Sequence, residues 1–366
     1  MKGAQSVVAS LESARYALAM RFALCIAAVL LASRFAHGQI DLEESHVTTS
    51  LRGVDTAGTG VAWASGSGGT VLRTEDAGFL WQPCTTPKGA EKLDFRGVQA
   101  LDGNTAVVMS SGSGELSKIY KTTDGCQTWK LVFTNPDKEG FFDTIRRVGE
   151  REFYVLGDPV RGRFVLFVSK DGGESWSGVN DAGLAAEKGD GAFAASNTSL
   201  IVSGGTLYFG TGGTGVPHVY ARRSSAWSKA DVPLASYSTA AGVFSIAART
   251  DAKSTLIAVG GVYSKPDIGA GTAATSVDGG KTWRGADMSP GGYRSGVAYD
   301  RDAKVWVAVG TNGTDFSRDD GKTWKPLVPT AADAPDVAKG WNAVALPYVV
   351  GAKGRIGRVR PDAFGK

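Results

Sequence analysis

The sequence is poor in cysteine. Its 366 residues include only 3 Cys, and Cys25 lies in an N-terminal stretch with the features of an export signal. Cys84 and Cys126 remain after that stretch. An even number of cysteines in an oxidising compartment is compatible with a disulfide, so a bond between these two is left open by the sequence.

The residues from which metal and redox sites are usually built are also scarce. The chain has 3 His, of which His46 and His218 follow the N-terminal stretch, too few for an ordinary His-rich metal site. No G-x-G-x-x-G turn stands between a predicted strand and a predicted helix, which disfavours a dinucleotide cofactor. We therefore expect no cofactor and no metal, and redox chemistry, which needs one of them, is disfavoured.

The sequence lacks both a long apolar run and an excess of charge of one sign. The apolar run at residues 22–32 is too short for a membrane-spanning helix of about 20 residues. Basic residues precede it and small residues follow it, which predicts a secretory signal at residues 1–38, with a single membrane anchor as the alternative. Removing the signal lowers the formal net charge from +4 to about +1, so charge does not favour nucleic acid as a partner. We expect an exported protein, periplasmic or secreted, with no transmembrane segment in the mature chain.

Glycine, in contrast, is abundant, and a short motif explains part of the excess. The 50 Gly are about 14% of the chain, twice the ordinary share of roughly 7%, and show no collagen-like period of three. The motif has a Ser or Thr, an Asp two residues later, usually a Gly two residues after that, and a Trp seven residues after the Ser or Thr. The Asp and Trp of its five intact copies are Asp76 and Trp81, Asp124 and Trp129, Asp171 and Trp176, Asp278 and Trp283, and Asp319 and Trp324.

Each residue type of this turn motif has a structural role. The Asp carboxylate can accept hydrogen bonds from amides of its own turn, the hydroxyl joins the same network, and Gly supplies a positive φ. The Trp ring buries a large apolar area and pins the next strand. A metal-binding or catalytic Asp is the other interpretation, but one active site does not need five copies. We interpret the motif as a clamp for a β-hairpin turn.

The spacing of the motif predicts the fold. A sixth, eroded copy keeps only Trp227, and successive Trp residues of the motif are 41 to 56 residues apart. Apolar strands of period two recur at residues 60–65, 105–110, 153–157, 206–211, 255–260, 305–310 and 347–351. Seven units of about 47 residues fill residues 39–366, which predicts an all-β, seven-bladed β-propeller of four-stranded antiparallel blades in a single domain. The last unit lacks a strand, and we expect the N-terminal segment 42–49 to close the ring.

Aligned positions indicate where a ligand could bind. Each unit begins with an apolar, usually aromatic residue followed by a variable one, at residues 51–52, 95–96, 142–143, 193–194, 244–245, 293–294 and 341–342. Strand alternation should place the first between blades and the second near the mouth of the central channel. The expected site comprises Arg52, Arg96, Asp143, Arg294 and Asn342, with Asp158, Arg161 and Arg163 from a nearby loop. Arginines in a concave site suit carboxylate or phosphate groups, but pairing with local acids remains open.

The turn motif resembles the Asp-box (BNR) repeat, which sialidases and several glycosidases also carry. With its export signal, its seven units and phrases such as SVDGGKTW at 276–283, the chain resembles the photosystem II stability/assembly factor-like propellers over residues 42–360. In plant and cyanobacterial members of that family the propeller is an assembly chaperone that holds a membrane-protein precursor, with an arginine-rich face implicated. The resemblance implies a protein partner, such as a membrane-protein precursor or an envelope complex, and transfers no catalytic residue.

We therefore expect a monomeric, non-catalytic binding or assembly propeller that acts on a protein at the cell envelope. The alternative is a carbohydrate-active hydrolase that uses the same channel mouth. A sialidase is disfavoured because the resemblance would require an Arg-Ile-Pro element, whereas Arg52 and Arg96 are followed by Gly-Val. Another glycosidase would need two carboxylates across a cleft, and Asp143 and Asp158 are the available pair.

Overall fold

The computed structural model describes residues 38–179, 181–249 and 254–365. Apart from Gly38, the expected export signal lies outside the described residues. Among the helices of the described part, none is long and apolar enough to cross a membrane.

The described residues form strands joined by turns and loops, with only brief 3-10 helices at Gly114–Leu116, Ala182–Leu184 and Ala352–Gly354. In chain order the strands are β1 (Ile40–Glu43), β2 (Leu51–Thr56), β3 (Ala62–Gly66), β4 (Val71–Thr74), β5 (Gln82–Pro83), β6 (Asp94–Ala100), β7 (Ala106–Ser111), β8 (Lys118–Thr122), β9 (Lys130–Thr134), β10 (Phe142–Val148), β11 (Glu152–Val160), β12 (Arg163–Ser169), β13 (Ser177–Gly178), β14 (Asp190–Gly191), β15 (Leu200–Ser203), β16 (Thr206–Gly210), β17 (Gly212–Gly213), β18 (His218–Arg223), β19 (Ala226–Asp231), β20 (Ser238–Arg249), β21 (Thr255–Val262), β22 (Ala273–Ser276), β23 (Arg284–Gly285), β24 (Gly296–Asp300), β25 (Val305–Val309), β26 (Thr314–Ser317), β27 (Lys325–Pro326), β28 (Trp341–Ala345), β29 (Tyr348–Gly351) and β30 (Ile356–Val359).

These strands build a seven-bladed β-propeller, which confirms the predicted fold. Blades one to three are β2–β5, β6–β9 and β10–β13, and blade four is β15, β16, β18 and β19. Blades five and six are β20–β23 and β24–β27, and blade seven combines β28–β30 with β1. All blades are antiparallel, and β14 and β17 extend the inner edge of blade five. Each of the seven hydrophobic cores lies between two adjacent blades, so every blade depends on both neighbours.

An N-terminal strand closes the ring, as expected, but it lies slightly earlier in the chain than predicted. β1 spans Ile40–Glu43 rather than residues 42–49 and pairs with the outer edge of β30, from Ile40 opposite Val359 to Glu43 opposite Ile356. The position of Ile40 explains the shift, because its side chain is only 3% exposed and packs in the core between blades six and seven. Residues 44–50 then lead from this strand to the first blade.

The fourth blade departs from the predicted pattern. Its innermost strand begins at Leu200, not at Phe193, and residues 194–198 instead cross the central channel. We call these five residues the channel plug. Ser196 Oγ donates to the carbonyl of Ser295 in front of blade six at 2.6 Å.

Asn197 fixes the other side of the channel plug. Its amide group donates to the Val98 carbonyl of blade two at 3.1 Å, and its Oδ1 accepts the Ile145 N–H of blade three at 2.9 Å. Asn197 has a φ of +62°, a left-handed conformation that Asn tolerates better than most residues. The sequence contains a sign of this crossing: the run Ser196–Ser199 is polar, although a first strand was expected there.

The turn motif forms hydrogen bonds within its own turn, as the copy at 276–283 illustrates. Ser276 Oγ donates to Asp278 Oδ1 at 2.8 Å and accepts the Gly280 N–H at 2.8 Å. Asp278 also accepts the Thr282 N–H and hydroxyl, at 3.0 and 2.7 Å. Although partial burial opposes the change, the hydrogen bonds from Thr282 and Ser276 lower the pKa of Asp278 from 3.8 to about 2. The carboxylate therefore acts within its own turn.

The Trp residues of the motif differ in burial more than the sequence indicated. The side chains of Trp81 and Trp324 are 0% and 3% exposed, whereas Trp129, Trp176 and Trp283 are half-buried. The half-buried rings pack against the cores between blades without being enclosed by them. We therefore expect a smaller loss of stability when Trp283 is truncated than when Trp81 is.

A disulfide joins Cys84, which follows the last strand of blade one, to Cys126 in the turn of blade two. The two cysteines are 42 residues apart in sequence. Cys126 stands where the other intact copies of the motif have Gly, and it adopts a φ of +65°. Blades one and two are thus linked covalently as well as through their shared core.

Replacing Asp278 with Ala should lower the free energy of unfolding by about 1–2 kcal/mol at neutral pH, because several turn hydrogen bonds are lost. The hydrogen bonds lower the folded-state pKa of Asp278 from 3.8 to about 2, so their contribution is complete above pH 3.8. It should disappear as the pH falls through about 2, because protonation removes the carboxylate. Urea unfolding of both proteins at several pH values measures the difference.

Asp302→Ala provides the matched control, because the exposed Asp302 carboxylate accepts no hydrogen bond from the described residues. Its effect should be close to zero at every pH. An Asp278→Ala effect no larger than the Asp302→Ala effect would contradict the clamp.

Candidate binding site at the channel mouth

A cavity of about 470 Å³ lies at the end of the channel where the innermost strands begin. Arg52 and Arg96 line it at the starts of β2 and β6, and Asp143 lies at the start of β10. Asn342 from β28 and Asp158 from β11 complete the set. Five of the eight residues predicted for the site are thus brought together. The parallel arrangement of the innermost strands explains this, since equivalent positions fall at the same height around one axis.

Two arginines in this cavity share one acid. Arg96 Nε lies 2.7 Å from one oxygen of Asp94, and Arg52 Nε lies 3.8 Å from the other. Arg96 also donates to the carbonyl of Ala194 in the channel plug at 2.9 Å. Both arginine side chains remain about 30% exposed. Burial, and then the like charge of Arg96, lower the pKa of Arg52. An anion that enters the cavity would relieve the repulsion between the two cations.

Two carboxyl groups, the buried Asp143 and the half-buried Asp158, line the same cavity as the arginines. Asp143 is only 1% exposed, and burial raises its pKa well above 3.8, with a further increase from Asp158 and an opposing effect of Arg96. Burial also raises the pKa of Asp158, although its Oδ1 accepts the Ala192 N–H at 2.9 Å. Asp143 Oδ2 has no hydrogen-bond partner in the described part of the chain. A ligand atom could therefore satisfy it.

An aromatic wall that the sequence did not predict completes the cavity. Phe193 stacks on Phe244 with ring centroids 3.8 Å apart, and Tyr293 meets Phe244 edge-on at 4.8 Å. Tyr263, which is 53% exposed, lies at the rim. We expected these first-strand aromatic residues only between blades. Phe193 lies outside blade four, because the first strand of that blade begins only at Leu200, and it therefore lines the cavity beside Phe244 and Tyr293.

Arg294 does not line the cavity, and the expectation that it would is wrong. Its side chain is only 3% exposed and forms a buried ion pair with Asp315 of β26. The guanidinium also donates to the Tyr293 carbonyl at 2.7 Å and to Asn312 Oδ1 at 2.6 Å. All of these partners belong to blade six or its connecting loops. Asp315 thus binds Arg294 inside its own blade. Strand alternation alone could not have predicted this position.

Arg161 and Arg163 also lie elsewhere. They flank the turn between β11 and β12 and line a separate groove with Asp137. Arg161 is 82% exposed and its guanidinium lies 3.5 Å from the Asp137 carboxylate. The sequence placed them with Asp158 because only two residues separate Asp158 from Arg161. However, β11 extends as far as Val160 and carries the turn away from the channel.

Asn342 lines the cavity, but its amide group is hydrogen-bonded to neighbouring residues of the protein. Its amide group donates to the Leu51 carbonyl of blade one at 2.7 Å and to Ser50 Oγ at 3.2 Å. It therefore joins the last blade to the first beside the cavity. None of the Asp or Trp residues of the turn motif lines this cavity.

A known protein is similar to this chain in sequence, and solved structures are similar to it in fold. No family model matches the sequence. The photosystem II assembly lipoprotein Ycf48 from Picosynechococcus sp. is 27% identical over 287 residues, which cover 67% of this chain and 76% of the relative. The resemblance to the photosystem II assembly-factor propellers is confirmed.

Solved structures share the fold of this chain at lower identity. A YCF48 structure bound to a D1 peptide has a TM-score of 0.61 and 16% identity, covering 89% of this chain and 98% of that one. YCF48 from Cyanidioschyzon merolae has a TM-score of 0.60 and 18% identity, with 88% and 99% covered. U3-55K, at 0.57 and 12% identity with 87% and 97% covered, has a similar fold. The similarity to these three structures concerns the fold alone.

Asp143→Asn should stabilise the protein increasingly as the pH rises. Burial raises the folded-state pKa of Asp143 above 3.8, so the folded protein holds this proton more tightly than the unfolded chain. The wild type therefore loses stability as the pH rises from 3.8 through the raised value, by about 1.4 kcal/mol for each tenfold change in the acid dissociation constant. Asn carries no charge and avoids this loss. Urea unfolding between pH 4 and about pH 8 measures the widening difference.

The matched control is Asp302→Asn, which replaces an exposed carboxylate and should give no such trend. A difference between Asp143→Asn and wild type that stays constant with pH would show that Asp143 titrates normally.

Proposed function

We propose that this chain is a non-catalytic, exported propeller that binds a segment of a protein partner in the channel-mouth cavity. The observation that carries the proposal is the pair of arginines that share the single carboxylate of Asp94 beside an aromatic wall. Homology to an assembly lipoprotein supports it, as does a protein of the same fold that is bound to a D1 peptide.

The cavity suits a short peptide segment. Its volume of about 470 Å³ lies in the range of small-ligand sites and is too small for a folded domain. An acidic side chain or a terminal carboxylate of the segment would bind Arg52 and Arg96. A backbone N–H or C=O could satisfy Asp143, depending on whether its carboxyl group is ionised or protonated, and an apolar side chain would pack on Phe244 and Tyr263.

We further propose that the partner is a membrane-protein precursor or an envelope complex, and that the mature protein is a monomer at residues 39–366 in the periplasm or outside the cell. The relative is named a lipoprotein, which favours export. The Cys84–Cys126 disulfide is also typical of an oxidising compartment. We also propose that the five clamped turns are of the Asp-box type, which their hydrogen bonds support.

A panel of short acidic peptides taken from exported segments of host membrane proteins would test the site, with binding followed by fluorescence polarisation. Arg52→Gln and Arg96→Gln should each lower the affinity for the tightest-binding peptide at least about tenfold, since charged hydrogen bonds contribute about 1.5–3 kcal/mol. The melting temperature should stay nearly unchanged, because both side chains are partly exposed. Arg151→Gln, which changes an exposed arginine outside the cavity, is the control.

Arg294→Ala should have the opposite effect: it should lower the stability of the protein and not act directly on peptide binding. It leaves the buried Asp315 carboxylate unpaired and should cost about 3–5 kcal/mol of stability. Unchanged peptide affinity in Arg52→Gln and Arg96→Gln would refute the proposal. Losses of affinity that only follow losses of stability would show that these arginines are structural.

A carbohydrate-active hydrolase remains the second candidate, because Asp143 and Asp158 line one cavity and burial raises the pKa of both. A raised pKa is what a carboxyl group that acts as a general acid requires. Screening against chromogenic glycosides separates the candidates. Turnover that disappears in Asp143→Asn or Asp158→Asn would favour the hydrolase.

A further inference from the structure

A second cavity lies at the opposite mouth of the channel. It has a volume of about 330 Å³ and is lined by residues near the ends of the innermost strands, where the first cavity uses their starts. The channel plug separates the two cavities, because Ala194 and Ala195 line the first and Asn197 and Thr198 line the second. The two mouths are therefore independent sites.

The walls of this second cavity are mostly aliphatic. Val54, Ile201, Ile246, Val297 and Val344 come from five different blades and are at most 6% exposed. Alanines at the ends of β20, β24 and β28 keep the opening wide. Because the exposed surface of the cavity is about equally polar and apolar, it suits a ligand that has both an apolar and a polar part.

The polar groups of the wall are already satisfied by the backbone. Asp55 Oδ2 accepts the Ala100 N–H at 2.9 Å. Gln99 Oε1 accepts the Arg147 N–H at 2.6 Å, and Gln99 Nε2 donates to the Val98 carbonyl at 2.8 Å. The Asp55 bond joins blade one to blade two, the Gln99 Oε1 bond joins blade two to blade three, and both acceptor atoms are thereby occupied.

The polar groups of the floor are satisfied too. Asn197 bonds to blades two and three, as described above. The Thr198 hydroxyl lies 2.6 Å from Ser245 Oγ and 2.5 Å from Ser196 Oγ. The floor therefore offers a ligand no unpaired donor or acceptor at these positions.

Arg146 is the exception. Its side chain lines the cavity and is half-buried, yet within the described residues its guanidinium group has no hydrogen-bond or ion-pair partner. The nearby Asp55 is not within ion-pair distance. Burial raises the pKa of Asp55, and Arg146 lowers it, so the two groups interact only through space. A half-buried cation among aliphatic side chains is complementary to a single anionic group.

We propose that this second cavity binds a small amphiphile with one anionic group, which pairs with Arg146, and a short apolar body, which packs on the aliphatic wall. At about 30 Å³ for each non-hydrogen atom, as for liquid water, the cavity holds roughly ten such atoms. The proposal does not depend on the function proposed for the first cavity.

Sodium octanoate is a suitable probe because it has ten non-hydrogen atoms and a single carboxylate. Titration of ¹⁵N-labelled wild-type protein should give saturable shifts of the amide signals at Ile246, Ala247 and Ala298. Ala192 and Ala194, at the other mouth, should not shift. Octan-1-ol, which lacks the charge, and acetate, which lacks the apolar body, should each bind at least about tenfold more weakly.

Variants locate the charge that recognises the probe. Arg146→Gln should lower the affinity for octanoate at least about tenfold. Arg146→Lys should retain part of that affinity because it keeps the positive charge. Arg151→Gln, an exposed arginine of the same blade, should bind octanoate like wild type. The spectra without ligand establish that each variant is folded.

Any of the following results would overturn the proposal: no saturable shift, equal affinity of Arg146→Gln and wild type for octanoate, or equal affinity of the wild type for octanoate and octan-1-ol. Octanoate binding that is lost in Arg52→Gln but kept in Arg146→Gln would place the anion at the first cavity and also refute it. Peptide binding at the first cavity could fail or succeed without changing any of these results.

Discussion

The structure depends on the antiparallel pairing of β1 with β30, which joins the two ends of the described chain. Each hydrophobic core lies between two blades, so no blade can bury its apolar faces without both neighbours. An open ring would expose the edge of β30 and one complete core face. Side-chain pairs reinforce the closure, since Arg358 lies near both Asp41 and Glu43 and Arg360 lies near Asp41. Both mouths of the channel require a closed ring, because the second cavity is lined by residues from all seven blades and the first by residues from every blade except the fourth.

The residues of the repeated turns stabilise the fold, and they leave the residues that line the channel free to vary. The hydrogen bonds of Ser276 and Asp278 stay within a single turn at the edge of a blade, remote from the residues of both cavities. The inner strand ends carry residues that differ from blade to blade, such as Arg52, Arg96 and Asp143. A propeller can therefore change its ligand by changing a few inner positions, while the turns and the cores between blades preserve the fold.

The sequence predicted the parts of the structure that repeat. Periodic strands and the spacing of the Trp residues were sufficient for the seven blades, and strand alternation placed Arg52, Arg96 and Asp143 at one mouth. The parts that break the repeat required tertiary information. Residues 194–198 cross the channel because Ser196 and Asn197 find partners on distant blades, and that crossing exposes Phe193 to the cavity. Arg294 shares the register of Arg52 but pairs with Asp315, which is 21 residues away and outside any local pattern.

Native-state hydrogen exchange tests the ring closure most directly. If β1 is an integral strand of blade seven, its hydrogen-bonded amides at Ile40–Glu43 should exchange as slowly as those of the buried strand Tyr348–Gly351, through global unfolding. Rapid exchange in β1, with full protection of Tyr348–Gly351, would contradict the account. It would show that the propeller persists without its N-terminal strand and that the blades do not depend on closure.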